Sequence, residues 1–123
     1  MVEISSALCF LHNHQTERTS HGDVKMENIL LFEHNHAKLC DLGAAESEDV
    51  STTRGVMSLL YVSPERLADE TGRATPASDV WSLGIVLHWL LFGEPPFKSQ
   101  NTMKLLREIE SFKATDIRNS GML

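Results

Sequence analysis

Four polar side chains lie close together along the chain. They are the carboxylates of Asp23 and Asp41, the amine of Lys25 and the amide of Asn28. A carboxylate and an amide oxygen are hard ligands that suit Mg²⁺, and phosphates and water then complete its coordination shell. Asn28 and Asp41 are therefore candidate magnesium ligands. Asp23 would orient a hydroxyl nucleophile and accept its proton, and Lys25 would neutralise a transferring phosphoryl group. The pattern indicates phosphoryl-transfer chemistry.

The elements that would hold these side chains are predicted from hydrophobic periodicity. Apolar residues at positions 4, 7, 8 and 11 fall on one face of a helix that begins close to residue 1. Two short apolar runs, 29–32 and 37–40, are separated by the polar residues 33–36 and predict a small β-hairpin. Because a hairpin brings its two ends together, we expect Asn28 and Asp41 to face one site.

Downstream of Asp41 the pattern changes from a long loop to two helices. Residues 41–64 show little periodicity, and loops of this length inside a compact domain are usually functional. Residues 79–92 are apolar on nearly every side, which predicts a buried helix, and Gly93 stands where a left-handed cap residue belongs. The most buried side chains of this helix should include Trp81, Leu83, Val86, Leu87 and Leu90. A last, amphipathic helix is predicted over residues 101–112, with one apolar face formed by Met103, Leu106, Ile109 and Phe112.

Short motifs follow one another in the order and at the spacing of a known family. Residues 21–28, His-Gly-Asp-Val-Lys-Met-Glu-Asn, resemble the loop H-R-D-L-x-x-x-N, and 41–43, Asp-Leu-Gly, resemble D-F-G. Ser-Pro-Glu at 63–65 resembles A-P-E, residues 79–84 resemble the start of a buried central helix, and 95–97 resemble the Pro-Pro-Phe turn after that helix. With these motifs the chain resembles the eukaryotic protein kinases. A lysine two residues after the motif's aspartate is typical of the serine/threonine type.

The resemblance implies a partial protein kinase domain over residues 1–123. The fold would be mainly α with a small β-hairpin, a partial kinase-like C-lobe from which the N-lobe and the last carboxyl-terminal helices are absent. Residues 21–28 would form the catalytic loop, 41–65 the activation segment and about 79–92 the buried central helix.

The resemblance also implies roles for the four polar residues. Asp23 and Lys25 would be catalytic, Asn28 and Asp41 would hold magnesium, and Lys25, Asn28 and Asp41 would bind ATP. The cofactors would be ATP and Mg²⁺, and the partner would be a protein substrate. The complete protein would transfer the γ-phosphoryl group of ATP to a Ser or Thr hydroxyl.

Departures from the family pattern support a second hypothesis. Gly22 replaces the arginine that, in many family members, pairs with a phosphorylated activation segment. The sequence also contains no G-x-G-x-x-G and no V-A-I-K-like strand with an ATP-binding lysine. We therefore expect the isolated chain to be inactive as a kinase. The alternative to an enzyme is a non-catalytic, pseudokinase-like binding or regulatory module.

Composition and charge exclude several other classes of protein. The chain is 41% hydrophobic and carries 17 acidic against 11 basic side chains, a net charge of −6. Without a cluster of Lys and Arg, neither nucleic acid nor an anionic membrane surface is an expected partner. The longest apolar run, 80–92, is too short to span a bilayer, and the start of the chain lacks signal-peptide features. Cys9 and Cys40 lack CxxC spacing and fit free thiols, which favours the cytoplasm and leaves the nucleus open.

Three other polar features allow two interpretations each. The histidine pairs of His12-Asn13-His14 and His34-Asn35-His36 would suit a metal ion, but no Cys or acidic residue joins them at zinc-like spacing, which favours surface histidines. Asp79 would cap the amino terminus of its helix and, as the resemblance implies, would also brace the backbone of the catalytic loop; the two roles are compatible.

Overall fold

A computed structural model describes residues 1–14, 20–41 and 59–112 of the chain. In chain order, these residues form α1 (Val2–His12), a short 3-10 helix (Met26–Asn28), β1 (Ile29–Leu31), a second 3-10 helix (Glu33–Asn35), β2 (Ala37–Leu39), α2 (Pro64–Ala68), α3 (Pro76–Phe92) and α4 (Thr102–Ser111). The predicted fold class, mainly α with one small hairpin, is confirmed. Among the described residues no helix combines the length and the hydropathy that crossing a bilayer requires.

α1 ties the beginning of the chain to both the hairpin and α3. Ile4 and Leu8, one turn apart, are buried, as the periodicity predicted. Glu3 is exposed and contacts the hairpin: its Oε2 accepts the Ala37 N–H at 2.7 Å, and its Oε1 lies 2.7 Å from His36 Nδ1. These two contacts join the first turn of α1 to the start of β2.

The hairpin connects the two parts of the polar cluster. β1 and β2 are antiparallel, with Ile29 opposite Leu39 and Leu31 opposite Ala37. At the open end, the Cys40 N–H donates to the Asn28 carbonyl at 2.8 Å. The predicted hairpin is confirmed, and its pairing brings the chain after β2 back to the residue that precedes β1.

α3 begins at Pro76, earlier than the apolar run alone predicted. Thr75 is its N-cap: Thr75 Oγ1 accepts the Ser78 N–H at 3.1 Å, and Ser78 Oγ accepts the Thr75 N–H at 2.8 Å. This reciprocal arrangement satisfies two amide donors that have no acceptor within the helix. At the other end the helix stops at Gly93, whose φ of 73° is the left-handed conformation predicted for it.

Burial around α3 is one-sided. Val86 is buried, and Trp81 and Leu83 are partly buried against the core. Leu87 and Leu90, in contrast, are 41% and 56% exposed, so the prediction that they are among the most buried residues is wrong. An all-apolar helix has no sequence pattern that selects its inner face, and here the neighbouring elements pack on the side of Val86.

The face that α4 packs against the core is shifted from the predicted one but shares Ile109 with it. The Asn101 side chain caps the helix by accepting two backbone N–H groups of its first turn. Leu105 and Ile109, one turn apart, are fully buried, whereas Met103 is 63% exposed. The prediction is therefore wrong for Met103 and confirmed for Ile109, while Leu106 and Phe112 are partly buried. Apolar residues stand at both 105 and 106, and only packing against the core selects between the two faces.

Three aromatic rings connect α3, the turn after it and the end of α4. The Trp81 and Phe97 rings are nearly parallel with centroids 6.4 Å apart, and Phe112 meets both edge-on at 5.9 and 5.2 Å. Offset and edge-to-face pairs of this kind add to the energy of burying the rings. The cluster holds α4 against α3.

Candidate active site

Asp79 is the buried acceptor around which residues 21–28 fold. It is only 1% exposed, and its oxygens accept the backbone N–H groups of His21 (2.7 Å to Oδ2) and Gly22 (2.9 Å to Oδ1). These donors satisfy a carboxylate whose burial would otherwise be costly. Asp79 therefore braces this loop. The additional role predicted for it as a helix cap is wrong, because Thr75 occupies the N-cap position of α3.

His12 is a further partner of Asp79. Its Nε2 lies 2.8 Å from Asp79 Oδ2, which links the last turn of α1 to α3. The interpretation of His12 as a surface histidine is therefore wrong. Sequence reasoning missed the pair because the two residues are far apart in the chain and meet only where α1 packs on α3.

His21 is fully buried and connects the loop to the hairpin. Its Nδ1 accepts the Asp23 N–H at 3.1 Å, which places the ring proton on Nε2. Nε2 then donates to the Cys40 carbonyl at 2.7 Å. One imidazole thus holds the backbone of Asp23 in a fixed relation to the residue that precedes Asp41.

The structure brings together three of the four predicted site residues. The Asn28 side chain donates from Nδ2 to the Asp23 carbonyl at 2.8 Å and to Asp23 Oδ2 at 3.0 Å. The Lys25 ammonium lies 3.4 Å from the same Oδ2. Asp23 and Lys25 are partly exposed, and Asn28 is buried. The Asp23 carboxylate is therefore oriented by an amide and a cation while it stays partly exposed to solvent.

Asp41, the fourth predicted residue, directly follows Cys40, whose N–H is bonded to the Asn28 carbonyl. Its φ of 63° is the left-handed conformation, which Asp adopts more readily than most residues, and it is exposed. The carboxylate of Asp41 makes no hydrogen bond or ion pair with another described residue. That Asp41 shares a ligand site with Asn28 stays a prediction.

The side-chain oxygens of Asn28 and Asp41 are of the kind that binds magnesium together with a phosphate ligand. Both hydrogen bonds of the Asn28 amide use Nδ2, which leaves its Oδ1 oxygen as the atom suited to a cation. Magnesium in nucleotide sites is held by one or two protein oxygens, with phosphates and water supplying the rest. Asn28 and Asp41 would meet that requirement.

The histidine pairs form no metal centre within the part of the chain that the structure describes. No group of three or more His, Cys, Asp or Glu side chains there is arranged to hold a metal ion. His34 and His36 are exposed, as predicted, and His36 is paired with Glu3 at 2.7 Å. His14 lies edge-on to the Phe10 ring, with centroids 5.6 Å apart.

Tyr61 lies in the segment just before α2 and anchors that segment to residues 21–28 and to α3. Burial, together with the negative charge of Glu27, raises the pKa of Tyr61, and a hydrogen bond to the Met26 backbone opposes that shift. The Tyr61 carbonyl accepts the Ser82 hydroxyl at 2.6 Å. Residues 59–62 are all buried, so this segment is fixed against both elements.

The predicted activation segment, 41–65, is described only in part. Residues 42–58, which include most of the Asp-Leu-Gly motif, lie outside the described residues. At its far end, Ser63 is the N-cap of α2 and Pro64 is the first residue of that helix.

Arg66, in α2, is a residue near the site that sequence reasoning missed. Its guanidinium donates to the carbonyl oxygens of Gly22 and Gly72, each at 2.7 Å. Arginine is usually exposed, and nothing in the local sequence marks this one as buried.

Comparison with known proteins covers almost the whole chain. The family model "Protein kinase domain" matches residues 1–120. Serine/threonine-protein kinase ULK3 of Homo sapiens is 36% identical over 121 residues, 95% of this chain and 25% of that protein. 3-phosphoinositide-dependent protein kinase 1 of Homo sapiens is 38% identical over 112 residues, 87% of this chain and 19% of that protein. The chain thus spans a quarter or less of the length of these relatives.

Proposed function

Because the chain belongs to the protein kinase family, of the serine/threonine type, we propose that it supplies the catalytic loop of an active kinase. In the complete protein this loop would serve transfer of the ATP γ-phosphoryl group to a Ser or Thr hydroxyl of a protein substrate. The observation that carries the proposal is the geometry at Asp23, whose Oδ2 lies 3.0 Å from Asn28 Nδ2 and 3.4 Å from Lys25 Nζ.

Each of these side chains has a role that its position supports. Asp23 orients the substrate hydroxyl and accepts its proton, since its carboxylate is already held in place by Asn28 and Lys25. Lys25, beside that carboxylate, stabilises negative charge on the phosphoryl group. Asn28 and Asp41 would hold Mg²⁺. When bound, the ion neutralises the charge of the ATP phosphates.

We further propose that the isolated chain has no measurable kinase turnover. Its sequence contains no glycine-rich G-x-G-x-x-G and no V-A-I-K-like lysine, so it lacks residues that would clamp the nucleotide phosphates. Phosphoryl transfer depends chiefly on positioning and charge stabilisation, and without the clamp the nucleotide phosphates are not positioned for it.

The test is to join the chain to an N-lobe and the remaining carboxyl-terminal helices of a serine/threonine kinase. We expect ATP-dependent phosphorylation of a protein substrate, and Asp23→Asn should lower kcat by about 10²–10⁴-fold, the range for loss of a general base. Glu110→Gln, the same change at an exposed position of α4, should leave kcat unchanged. Robust, Asp23-dependent turnover by the isolated chain would contradict the second proposal.

Gly22 favours a second candidate function, a non-catalytic pseudokinase-like module. Without an arginine at this position, a phosphate on the activation segment loses its usual bidentate partner. In this alternative the fold presents a binding surface and transfers no phosphoryl group. A joined protein that stays inert while still binding a protein partner would support it.

The cytoplasm, with the nucleus as the other compartment, is our proposal for the location. Cys9 and Cys40 are both free, which suits a reducing environment. Imaging of the tagged, full-length gene product tests this, and accumulation in the secretory pathway would contradict it.

A further inference from the structure

The peptide backbone at Gly22 is held on both sides by buried charged groups. Its N–H donates to Asp79 Oδ1 at 2.9 Å, and its carbonyl accepts from Arg66 Nη1 at 2.7 Å. Gly22 is itself buried and has a φ of 83°, a left-handed conformation that glycine adopts at little cost. The carboxylate and the guanidinium come from different helices, α3 and α2.

The guanidinium of Arg66 is also held by a second hydrogen bond, to Gly72. Arg66 is only 7% exposed, and its Nε donates to the Gly72 carbonyl at 2.7 Å. Because the guanidinium is planar and rigid, fixing Nε also fixes the direction of the Nη1 donor. A compact, flexible lysine ammonium would not satisfy both carbonyls in the same geometry.

The bond from Arg66 acts on Asp23 through one peptide unit. The Gly22 carbonyl and the Asp23 N–H belong to the same plane, and the Asp23 N–H donates to His21 Nδ1 at 3.1 Å. With its oxygen held by Arg66 and its hydrogen held by His21, this plane cannot rotate without breaking one of the bonds. The orientation of the plane sets the direction in which the Asp23 side chain leaves the backbone.

We propose that Arg66 is a positioning residue for Asp23. It takes no part in the chemistry itself but holds the Gly22–Asp23 peptide, and so couples α2 to the loop of the candidate active site. The role of Asp23 as the catalytic aspartate rests on the function proposed above, whereas the control of its backbone by Arg66 does not.

The first experiment measures the backbone of the full 123-residue chain by NMR and needs no activity. In Arg66→Met, which keeps the side-chain length but removes the donors, we expect amide hydrogen exchange at Asp23 to become about tenfold faster or more, as loss of a hydrogen bond from a charged donor implies. Exchange at Val86 in α3 reports global stability and should change much less. Arg107→Met, at an exposed position of α4, is the matched control and should change neither rate.

The lysine variant keeps the test decisive if Arg66→Met does not fold. Arg66→Lys retains the charge and one donor group, so the exchange rate at Asp23 should lie between those of wild type and Arg66→Met. If Arg66→Met is unfolded, the comparison is with wild type alone: exchange in Arg66→Lys should then be faster at Asp23 but not at Val86. Equal acceleration at Asp23 and Val86, or no acceleration at Asp23 in either variant, would overturn the proposal.

The second experiment measures kinetics in the chain joined to an N-lobe and the remaining helices. If Arg66 orients Asp23, Arg66→Met should lower kcat by about tenfold or more with KM for ATP nearly unchanged, and Arg66→Lys should recover part of kcat. A parallel loss of folded protein and activity, with kcat per folded molecule unchanged, would overturn the positioning role. If the wild-type joined protein is inert, the proposed function fails, and the NMR result still decides whether Arg66 holds the peptide.

Discussion

At the scale of single residues, the candidate site is held by buried charges that bind backbone groups. Asp79 accepts the N–H groups of His21 and Gly22 and contacts His12, so one carboxylate joins the loop to two helices. Charge-assisted bonds to backbone N–H groups are stronger than neutral ones, and they need no reorganisation when a substrate binds. The backbone that leads to Asp23 is therefore held in place by a buried side chain of α3.

Asp79→Asn tests this arrangement without changing the shape of the side chain. The amide has one acceptor oxygen, and its NH₂ group would face a backbone N–H donor, so one buried donor loses its partner. We expect the free energy of unfolding to fall by about 1–3 kcal/mol in urea denaturation. Glu110→Gln is the control at an exposed position and should leave the stability unchanged. An Asp79→Asn variant as stable as wild type would mean that the carboxylate is not required.

At the scale of elements, α1 meets the hairpin through an exposed pair of contacts that responds to pH. A hydrogen bond from the Ala37 N–H, followed by one from His36, lowers the pKa of Glu3 below its ordinary value of 4.5. A carboxyl group with a lower pKa in the folded state binds fewer protons there than in the unfolded chain. Its stabilising effect is therefore complete above pH 4.5 and disappears as the pH falls through the folded-state pKa.

Glu3→Gln should remove this pH-dependent contribution. We expect wild type to be more stable than the variant at neutral pH, and the difference to shrink on acidification below pH 4.5. Thermal unfolding at a series of pH values measures it. A difference that stays constant over the whole series would show that Glu3 titrates alike in both states.

Substitution by alanine should change the stability of the protein in opposite directions at Gly84, inside α3, and at Gly93, the C-cap of α3. A Cβ at Gly84 or Gly93 would meet no atom within 4 Å, so packing does not distinguish the two positions. Gly84 lies inside the helix, where alanine is favoured by about 0.5–1 kcal/mol. Gly93 has a φ of 73°, where a side chain costs about 1–2 kcal/mol. Urea unfolding of both variants checks the signs, and equal signs would contradict the assigned conformations.

At the scale of the whole molecule, the core lies on one side of α3. Val86 belongs to the same buried core cluster as Phe97 and, from α4, Leu105 and Ile109, while Leu87 is 41% exposed. A helix that is apolar all round thus presents one apolar side to the core and leaves another exposed in the described part of the chain.

Leu105→Ala and Leu87→Ala make the same chemical change on the two sides of this boundary. Leu105 is fully buried, so its truncation should cost about 2–5 kcal/mol of unfolding free energy. Leu87 is 41% exposed, so its truncation should cost less than about 1 kcal/mol. Urea unfolding of the two variants measures the contrast. Equal losses would mean that another part of the protein covers Leu87.

Features encoded by neighbouring residues were determined by the sequence alone. The hairpin follows from two short apolar runs around a polar turn, and the end of α3 follows from Gly93. Asp23, Lys25 and Asn28 lie within one loop, so their meeting needed only local folding. The family itself could be inferred because its motifs are short and stand in a fixed order.

Contacts between residues distant in the chain were decided only by the tertiary structure. The pairing of Asp79 with His12, the burial of Arg66 against Gly22, and the choice of Leu105 over Leu106 all depend on which elements pack together. The residue types alone are equally compatible with exposed positions. Burial of a charge becomes favourable only when donors or acceptors from other elements surround it, and that condition exists only in the folded molecule.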